Sequence, residues 1–304
     1  MKRILSIVLA ALCIASCGSR SGKDGTGTVK HLKPVSVPSV YTGMEERTGY
    51  VLMHFWDEIS GVPMDEVEQG LSNFIALLDV VPAEVSEKAV LKLFERISEE
   101  EKADTAAHIY VQMTQLVSKY LYDPNSPLRN EDYYLPFVKA MASSPLTSED
   151  MRPAYRYEAE SCAICRRGSV APDFRFRTIS GKTYSLHSLK AGFTMLFFSN
   201  PGCNACKEII DQVMSNPVAV RMIEEKTLLV VNVYIDEDLK AWREYESNYP
   251  SSWYSGYDYE YLIRGSRIYD VRAIPSLYLL DSGKKIIFKD APTEKVLAYL
   301  QDNQ

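Results

Sequence analysis

Thr194-Met195-Leu196-Phe197-Phe198-Ser199-Asn200-Pro201-Gly202-Cys203-Asn204-Ala205-Cys206-Lys207 is an apolar run, a Pro-Gly turn and a Cys-x-x-Cys motif in succession. The run Thr194–Ser199 has the length and composition of a buried strand. Pro201-Gly202 ends it, and the pattern from Cys206 through Val213 predicts a helix. A cysteine at a helix N-terminus meets unpaired backbone N–H groups and the positive end of the helix dipole. Its pKa therefore falls below the free value of about 8.5, and Lys207 is expected to add to that effect. The two-residue spacer lets the second thiol reach the first once a mixed disulfide has formed. Cys203 is the expected nucleophile and Cys206 the expected resolving thiol. A buried structural disulfide and half of a zinc site are the alternatives for the same two residues.

Outward from this motif, residues 170–304 read as short β-rich runs with helices between them. Phe174–Thr178 and Thr183–Leu186 flank Ser180-Gly181, and Ser276–Leu280 and Lys285–Phe288 flank Asp281-Ser282-Gly283; both patterns predict hairpins. Leu228–Ile235 is a second buried-strand run, and Thr293–Leu300 predicts a closing amphipathic helix. This order is α/β. Ala273-Ile274-Pro275-Ser276 sits just before an apolar strand, and Ala171-Pro172-Asp173-Phe174 precedes the first hairpin. With these motifs and the Cys-x-x-Cys, residues 170–304 resemble thioredoxin-like proteins of the TlpA/ResA type. The resemblance implies a cis-proline at Pro275 beside the cysteines, with the backbone of Ile274 pairing with a bound substrate chain. It implies thiol–disulfide exchange with protein thiols and disulfides, and no cofactor.

Some positions depart from that pattern. The buried acid that thioredoxins use to take a proton from the resolving thiol falls at Phe197. The glutamate that TlpA-type proteins place six residues after the first cysteine falls at Ile209, with Glu208 one position off. Leu196 and Asn200 do not supply the residues that peroxiredoxins set before their cysteine. The stretch Asp236–Asp270, with Trp242, Trp253 and many tyrosines, is longer than a minimal thioredoxin needs. It reads as a packed surface insertion or as a partner-binding wall over the site.

Residues 41–167 read as an all-helical domain, ahead of a thioredoxin-like domain over 168–304. Lys102–Leu121 puts Ala106, Ile109, Met113, Leu116, Val117 and Tyr120 on one face at helical spacing. Similar patterns occupy 45–59, 64–80, 84–98 and 131–142. Thr147 and Asp150 resemble a capping box opening a helix over 151–166. Tyr122-Asp123-Pro124-Asn125-Ser126-Pro127 is a proline-set turn between helices. His54 and His108 sit within helical patterns and do not form a ligand cluster. Cys162 and Cys165 fall in the last predicted turn, and their i, i+3 spacing puts both on one face. They read as two buried residues, as a static disulfide, or as a second redox pair relaying electrons to Cys203 and Cys206. A zinc site shared by all four cysteines is opposed by the 37 residues between the pairs. His54-Phe55-Trp56-Asp57, the Tyr120–Pro127 turn with Leu128-Arg129-Asn130-Glu131, and Gly168 ahead of Ala171 resemble a family of Bacteroidetes lipoproteins. In that family a helical domain precedes a thioredoxin-like one, and the resemblance implies a bacterial envelope protein.

The first residues fit that setting. Lys2 and Arg3 precede an apolar run, Ile4–Ile14, too short to span a bilayer. Ile14-Ala15-Ser16-Cys17 resembles a lipobox, so 1–16 is expected to be a lipoprotein signal peptide and Cys17 the lipid attachment site. Residues 17–40 are the lipidated tether, and the Gly-, Ser-, Pro- and Lys-rich coil 18–40 reaches about 27 Å. The formal charge is −6, and loss of Lys2 and Arg3 with the signal peptide makes it more negative by two. An acidic chain with no basic run argues against nucleic acid and against an anionic membrane surface as partner. The expected partners are polypeptide thiols or disulfides, an envelope electron donor or acceptor, and the membrane through the lipid, on the periplasmic side. The alternative is a lipid-anchored binding or assembly protein whose helical domain grips a partner and whose cysteine pair is structural or vestigial.

Overall fold

A computed structural model describes residues 30–303 of the chain. Cys17 and the expected signal peptide lie outside the described residues.

The helical half contains α1 (Met44–His54), α2 (Met64–Leu78), α3 (Ala83–Ala103), α4 (Ile109–Leu121), α5 (Glu131–Ser143) and α6 (Arg152–Ala163). Pro63 and Pro82 stand at the N-caps of α2 and α3, where a missing N–H costs nothing. Apolar stripes at helical spacing bury Leu52, Trp56, Phe74, Met113, Tyr134 and Phe137 in one core. The single helix expected over 102–121 is broken. The Asp104 carboxylate accepts the Ala106 N–H at 3.1 Å, a short 3₁₀ turn spans Thr105–Ala107, and His108 is left-handed with φ 50°. Ala106 is exposed, so the buried face begins at Ile109. Thr147 does not cap a helix either. Its hydroxyl donates to the Met141 carbonyl at 2.7 Å and accepts from the Tyr110 hydroxyl, also at 2.7 Å.

The second half is a seven-stranded mixed sheet: β1 (Arg175–Arg177), β2 (Thr183–Ser185), β3 (Phe193–Phe198), β4 (Leu228–Tyr234), β5 (Tyr254–Tyr257), β6 (Ser276–Leu280) and β7 (Ile286–Lys289). The spatial order is β2-β1-β5-β4-β3-β6-β7. β3 and β4 are parallel, β4 and β5 are parallel, and the outer pairings are antiparallel. Alternation along β3 sorts its side chains. Met195 and Phe197 face α7 (Asn204–Ser215), α8 (Pro217–Glu224) and α11 (Thr293–Asp302). Leu196 and Phe198 face the opposite layer, with Phe174, Tyr269 and Tyr278. The stretch 236–270 belongs to the sheet. It supplies α9 (Leu239–Tyr245), strand β5 and the short α10 (Leu262–Gly265). Trp242 and Trp253 are buried, so these rings are core residues and not an exposed wall. Gly256 lets β1 approach β5, because a Cβ there would stand 2.8 Å from the Arg177 carbonyl oxygen. Among the described residues no helix is long and apolar enough to cross a membrane.

The two halves are joined by buried ion pairs. The Glu131 carboxylate, at the start of α5, lies 2.6 Å from Lys289 Nζ and 2.5 Å from Arg272 Nη2. Lys289 Nζ also donates to the Ile164 carbonyl at 2.8 Å. Burial pushes the Glu131 carboxyl up, but Lys289 and Arg272 outweigh it and hold the group below the usual carboxylate range.

Candidate redox site

β3 ends at Phe198, and the chain turns through Asn200-Pro201-Gly202, with Gly202 left-handed at φ 71°. Asn200 fixes this turn: its Nδ2 donates to Asp236 Oδ2 at 2.6 Å, and Arg264 holds the other Asp236 oxygen at 2.6 Å. Ser199, one residue earlier, donates to Asn232 Oδ1 at 2.6 Å, and its Oγ lies 3.1 Å from the Tyr249 hydroxyl. Cys203 then stands at the N-cap of α7, and its sulfur accepts the Cys206 N–H at 3.1 Å. Cys203 and Cys206 form a disulfide with 5.2 Å between their Cα atoms. Cys203 is half-buried, whereas Cys206 is 2 % exposed. Lys207 does not support the Cys203 sulfur through a charge contact, since its ammonium is held by Asp211 at 2.7 Å, one turn along the helix.

The Ile274–Pro275 peptide bond is cis. Ile274 packs in the cluster that holds both Cys203 and Cys206, as do Phe197 and Ile209. Phe197 is fully buried there, so the cluster around Cys206 has an apolar residue where thioredoxins place their buried acid. Arg272 and Ser276 bracket this loop; Arg272 is bound directly to the helical half, and Ser276 reaches it through Asp290. Arg272 Nη2 donates to the Tyr122 carbonyl at 2.8 Å and to Glu131, and its guanidinium lies 3.8 Å from the centre of the Tyr122 ring. Ser276 donates to Asp290 Oδ1 at 2.5 Å, and Arg129 reaches the same oxygen at 2.9 Å. Sequence reasoning did not single out Arg272, Asp290 or Asp236. Arg272 and Glu131 are 141 residues apart, and no local pattern signals such a pairing.

Cys162 and Cys165 take a different arrangement from the one their spacing predicts. α6 ends at Ala163, Ile164 is extended and Cys165 is left-handed at φ 56°. The two thiols diverge. Cys162 enters the helical core, and Cys165 enters the sheet layer with Phe198 and Tyr278, where its thiol lies 3.4 Å from the Ile268 carbonyl. Both are free and buried. Burial raises both thiols, Cys165 to about 12 and Cys162 further still. Cys165 lies on the face of the sheet opposite to the one that packs against Cys206.

Comparison with solved structures places this architecture. A thioredoxin-like protein from Bacteroides caccae is 34 % identical, with 91 % of this chain and 100 % of that chain covered and a TM-score of 0.80. This chain belongs to that thioredoxin-like family. Its helical region and α/β domain are thus a shared whole-chain architecture. Residues 16–162 match a family described as a domain of unknown function, DUF5106. The C-terminal domain of an uncharacterized protein from Bacteroides fragilis is 40 % identical over 46 % of this chain and 99 % of that chain, with a TM-score of 0.44. The thioredoxin domain of a thiol-disulfide oxidoreductase from Bacteroides vulgatus is 19 % identical over 45 % of this chain and 97 % of that chain, with a TM-score of 0.41. No curated protein matches the chain.

Proposed function

We propose that this protein is an envelope thiol–disulfide oxidoreductase that exchanges disulfides with polypeptides through Cys203 and Cys206. One observation carries the reading: an accessible cysteine at a helix N-terminus is disulfide-bonded to a buried partner one turn along. In the oxidised protein, a thiolate of a partner dithiol attacks Cys203 Sγ. The Cys203–Cys206 bond breaks, Cys206 leaves as thiolate, and a mixed disulfide forms between Cys203 and the partner. The partner's second thiolate then attacks its own sulfur in that mixed disulfide, closing the partner's disulfide and releasing Cys203 as thiolate. Two electrons pass from partner to protein. The reverse sequence reduces a partner disulfide, after which an envelope dithiol re-reduces the Cys203–Cys206 bond. Reduction potentials set the direction.

Cys203 is the nucleophile in the reducing direction, because an attacking sulfur must be reachable. Cys206 resolves the mixed disulfide from its buried position. Ile274 and Pro275 position the partner chain, as the resemblance to TlpA/ResA-type proteins implies. Residues 41–167 form the helical unit and 168–304 the redox unit. The motif ending at Cys17 supports lipid anchoring in the envelope, facing the periplasm.

A Cys206→Ser variant tests this function. After reaction with polypeptide disulfides it should accumulate partners bound through Cys203 and released by reductant. Absence of such adducts, with Cys203 titratable and the fold intact, overturns the reading.

A further inference from the structure

The thioredoxin-like half does not form the surroundings of Pro275 alone. A groove of about 180 Å³ opens beside this residue. Its apolar lining comes from Pro124 and Pro127 of the helical half and from Ile209, Pro275, Leu277 and Pro292 of the redox half. The groove connects to the disulfide through shared packing, although neither cysteine lines it. Ile209 on α7 packs in the same cluster as Cys203 and Cys206, and so does Ile274, which precedes Pro275. The two charged residues in the lining, Arg129 and Asp290, neutralise each other at 2.9 Å. The groove therefore offers apolar surface without a net charge. Its wall is also fixed in place. Arg129 Nη1 donates to the Pro124 carbonyl at 3.3 Å, and Ser126 closes the turn on the Tyr120 carbonyl at 2.6 Å. Ser276–Asp290–Arg129 on one side and Arg272–Tyr122 on the other tie the same turn to the loop that carries Pro275.

We propose that the turn 122–131 of the helical half is part of the redox site, where it closes a subsite for one large apolar side chain of the partner polypeptide, next to the cysteine presented to Cys203. This deepens the exchange reading and rests on it. The occupant follows from three features. The groove shares Ile209 and the Pro275 loop with the disulfide cluster, so a chain aligned on that loop passes its mouth. The lining is largely prolyl and aliphatic. Its volume is close to the roughly 150 Å³ cavity that holds a benzene ring, which is the scale of a leucine or phenylalanine side chain. A polypeptide with glycine or glutamate at that place leaves the groove empty or brings an unpaired charge to an apolar wall. The helical half thereby selects among partners that the cysteines alone would treat alike.

The test uses the full chain, reduced, with cystine peptides that differ only in carrying Leu, Gly or Glu beside the cysteine. Each rate is divided by that for a small organic disulfide in the same protein. The wild type should favour the Leu peptide over the Gly peptide about tenfold or more in kcat/KM, the range set by filling an apolar pocket. Pro127→Trp, on the exposed lip, should bring that ratio towards one. Pro292→Trp on the opposite lip should do the same and guards against a folding defect in the first variant. A flat ratio in the wild type, or one that neither variant alters, overturns the subsite. A second readout separates this outcome from failure of the exchange reading. A Leu peptide with serine in place of cysteine should shift the Ile209 methyl resonance in the wild type and not in Pro127→Trp. If that shift appears while no disulfide is reduced, the subsite stands and the exchange reading falls. If exchange proceeds without the shift or the preference, the subsite falls alone.

Discussion

At the residue scale the chemistry depends on the environments of two sulfurs three positions apart. Cys203 Sγ accepts a backbone N–H of α7 and lies at the positive end of a 12-residue helix, and both features favour its thiolate over its thiol. Lys207 spends its charge on Asp211, so the helix terminus and not a neighbouring ammonium supplies the effect. Cys206 is buried in the apolar cluster that also holds Phe197 and has no such help. In the reduced protein Cys203 should therefore titrate below the free value of about 8.5, and Cys206 above it. Thiolate absorbance against pH for Cys203→Ser and Cys206→Ser checks this. The low titration should vanish with Cys203 and persist without Cys206; the opposite pattern reverses the two roles.

At the element scale, the end of α6 decides what Cys162 and Cys165 can do. The helix stops at Ala163, and the left-handed Cys165 sends its thiol away from Cys162 into the layer beyond the sheet. A relay needs sulfurs that approach for in-line attack, since a disulfide holds them only about 2 Å apart. Here the sheet stands between Cys165 and Cys206, and burial keeps both extra thiols protonated at neutral pH. Replacing both by alanine should leave insulin-disulfide reduction by the full chain within about twofold of wild type when a chemical reductant is supplied. A loss of turnover with the fold intact would show that electrons pass through them. The i, i+3 spacing was legible in the sequence, but the place where the helix ends was not. Lys289 takes the Ile164 carbonyl and Ser169 pairs with β7 through the Ile286 N–H, and neither partner is local. Strand β5 was hidden for a related reason. Its Tyr-Ser-Gly-Tyr pattern carries little apolar signal, and its place depends on β4 and on the close approach of β1 at Gly256.

At the scale of the whole molecule, Glu131 is the centre of the seam between the halves. Its side chain is 4 % exposed and it pairs with Lys289 and Arg272. Glu131→Gln leaves the buried Lys289 and the part-buried Arg272 short of a counter-charge and should cost about 3–5 kcal/mol at neutral pH. The pH dependence follows from the sign of the shift. Glu131 is held below its ordinary value of 4.5 when folded. The stability its ionised form contributes is therefore complete above that value and is lost as the pH falls through the lower folded one. Asp290 is shifted the other way, by burial first and also by the Glu131 charge, so Glu131→Gln relieves part of that shift and takes a little off the gap at neutral pH. Denaturant unfolding of wild type and Glu131→Gln should show a wide gap at neutral pH that narrows once the pH drops below 4.5. A gap that stays constant into acid would place the stabilisation elsewhere.

Local sequence determined most of the elements and pointed to the proposed chemistry. Apolar periodicity marked most helices and the central strands, and the Cys203–Cys206 spacing with Pro201-Gly202 marked the candidate redox pair, because these signals lie within one or two turns of chain. Tertiary structure alone decided which surfaces meet. The apolar setting of Cys206 depends on Phe197 facing α7, and the separation of Cys165 from the disulfide depends on strand alternation. The closure of the groove beside Pro275 depends on Arg129 and Arg272 finding Asp290 and Glu131 across the domain seam. Such pairings carry no mark in either stretch of sequence, because a buried charge is stabilised by whatever the fold brings against it, and the fold sets that distance.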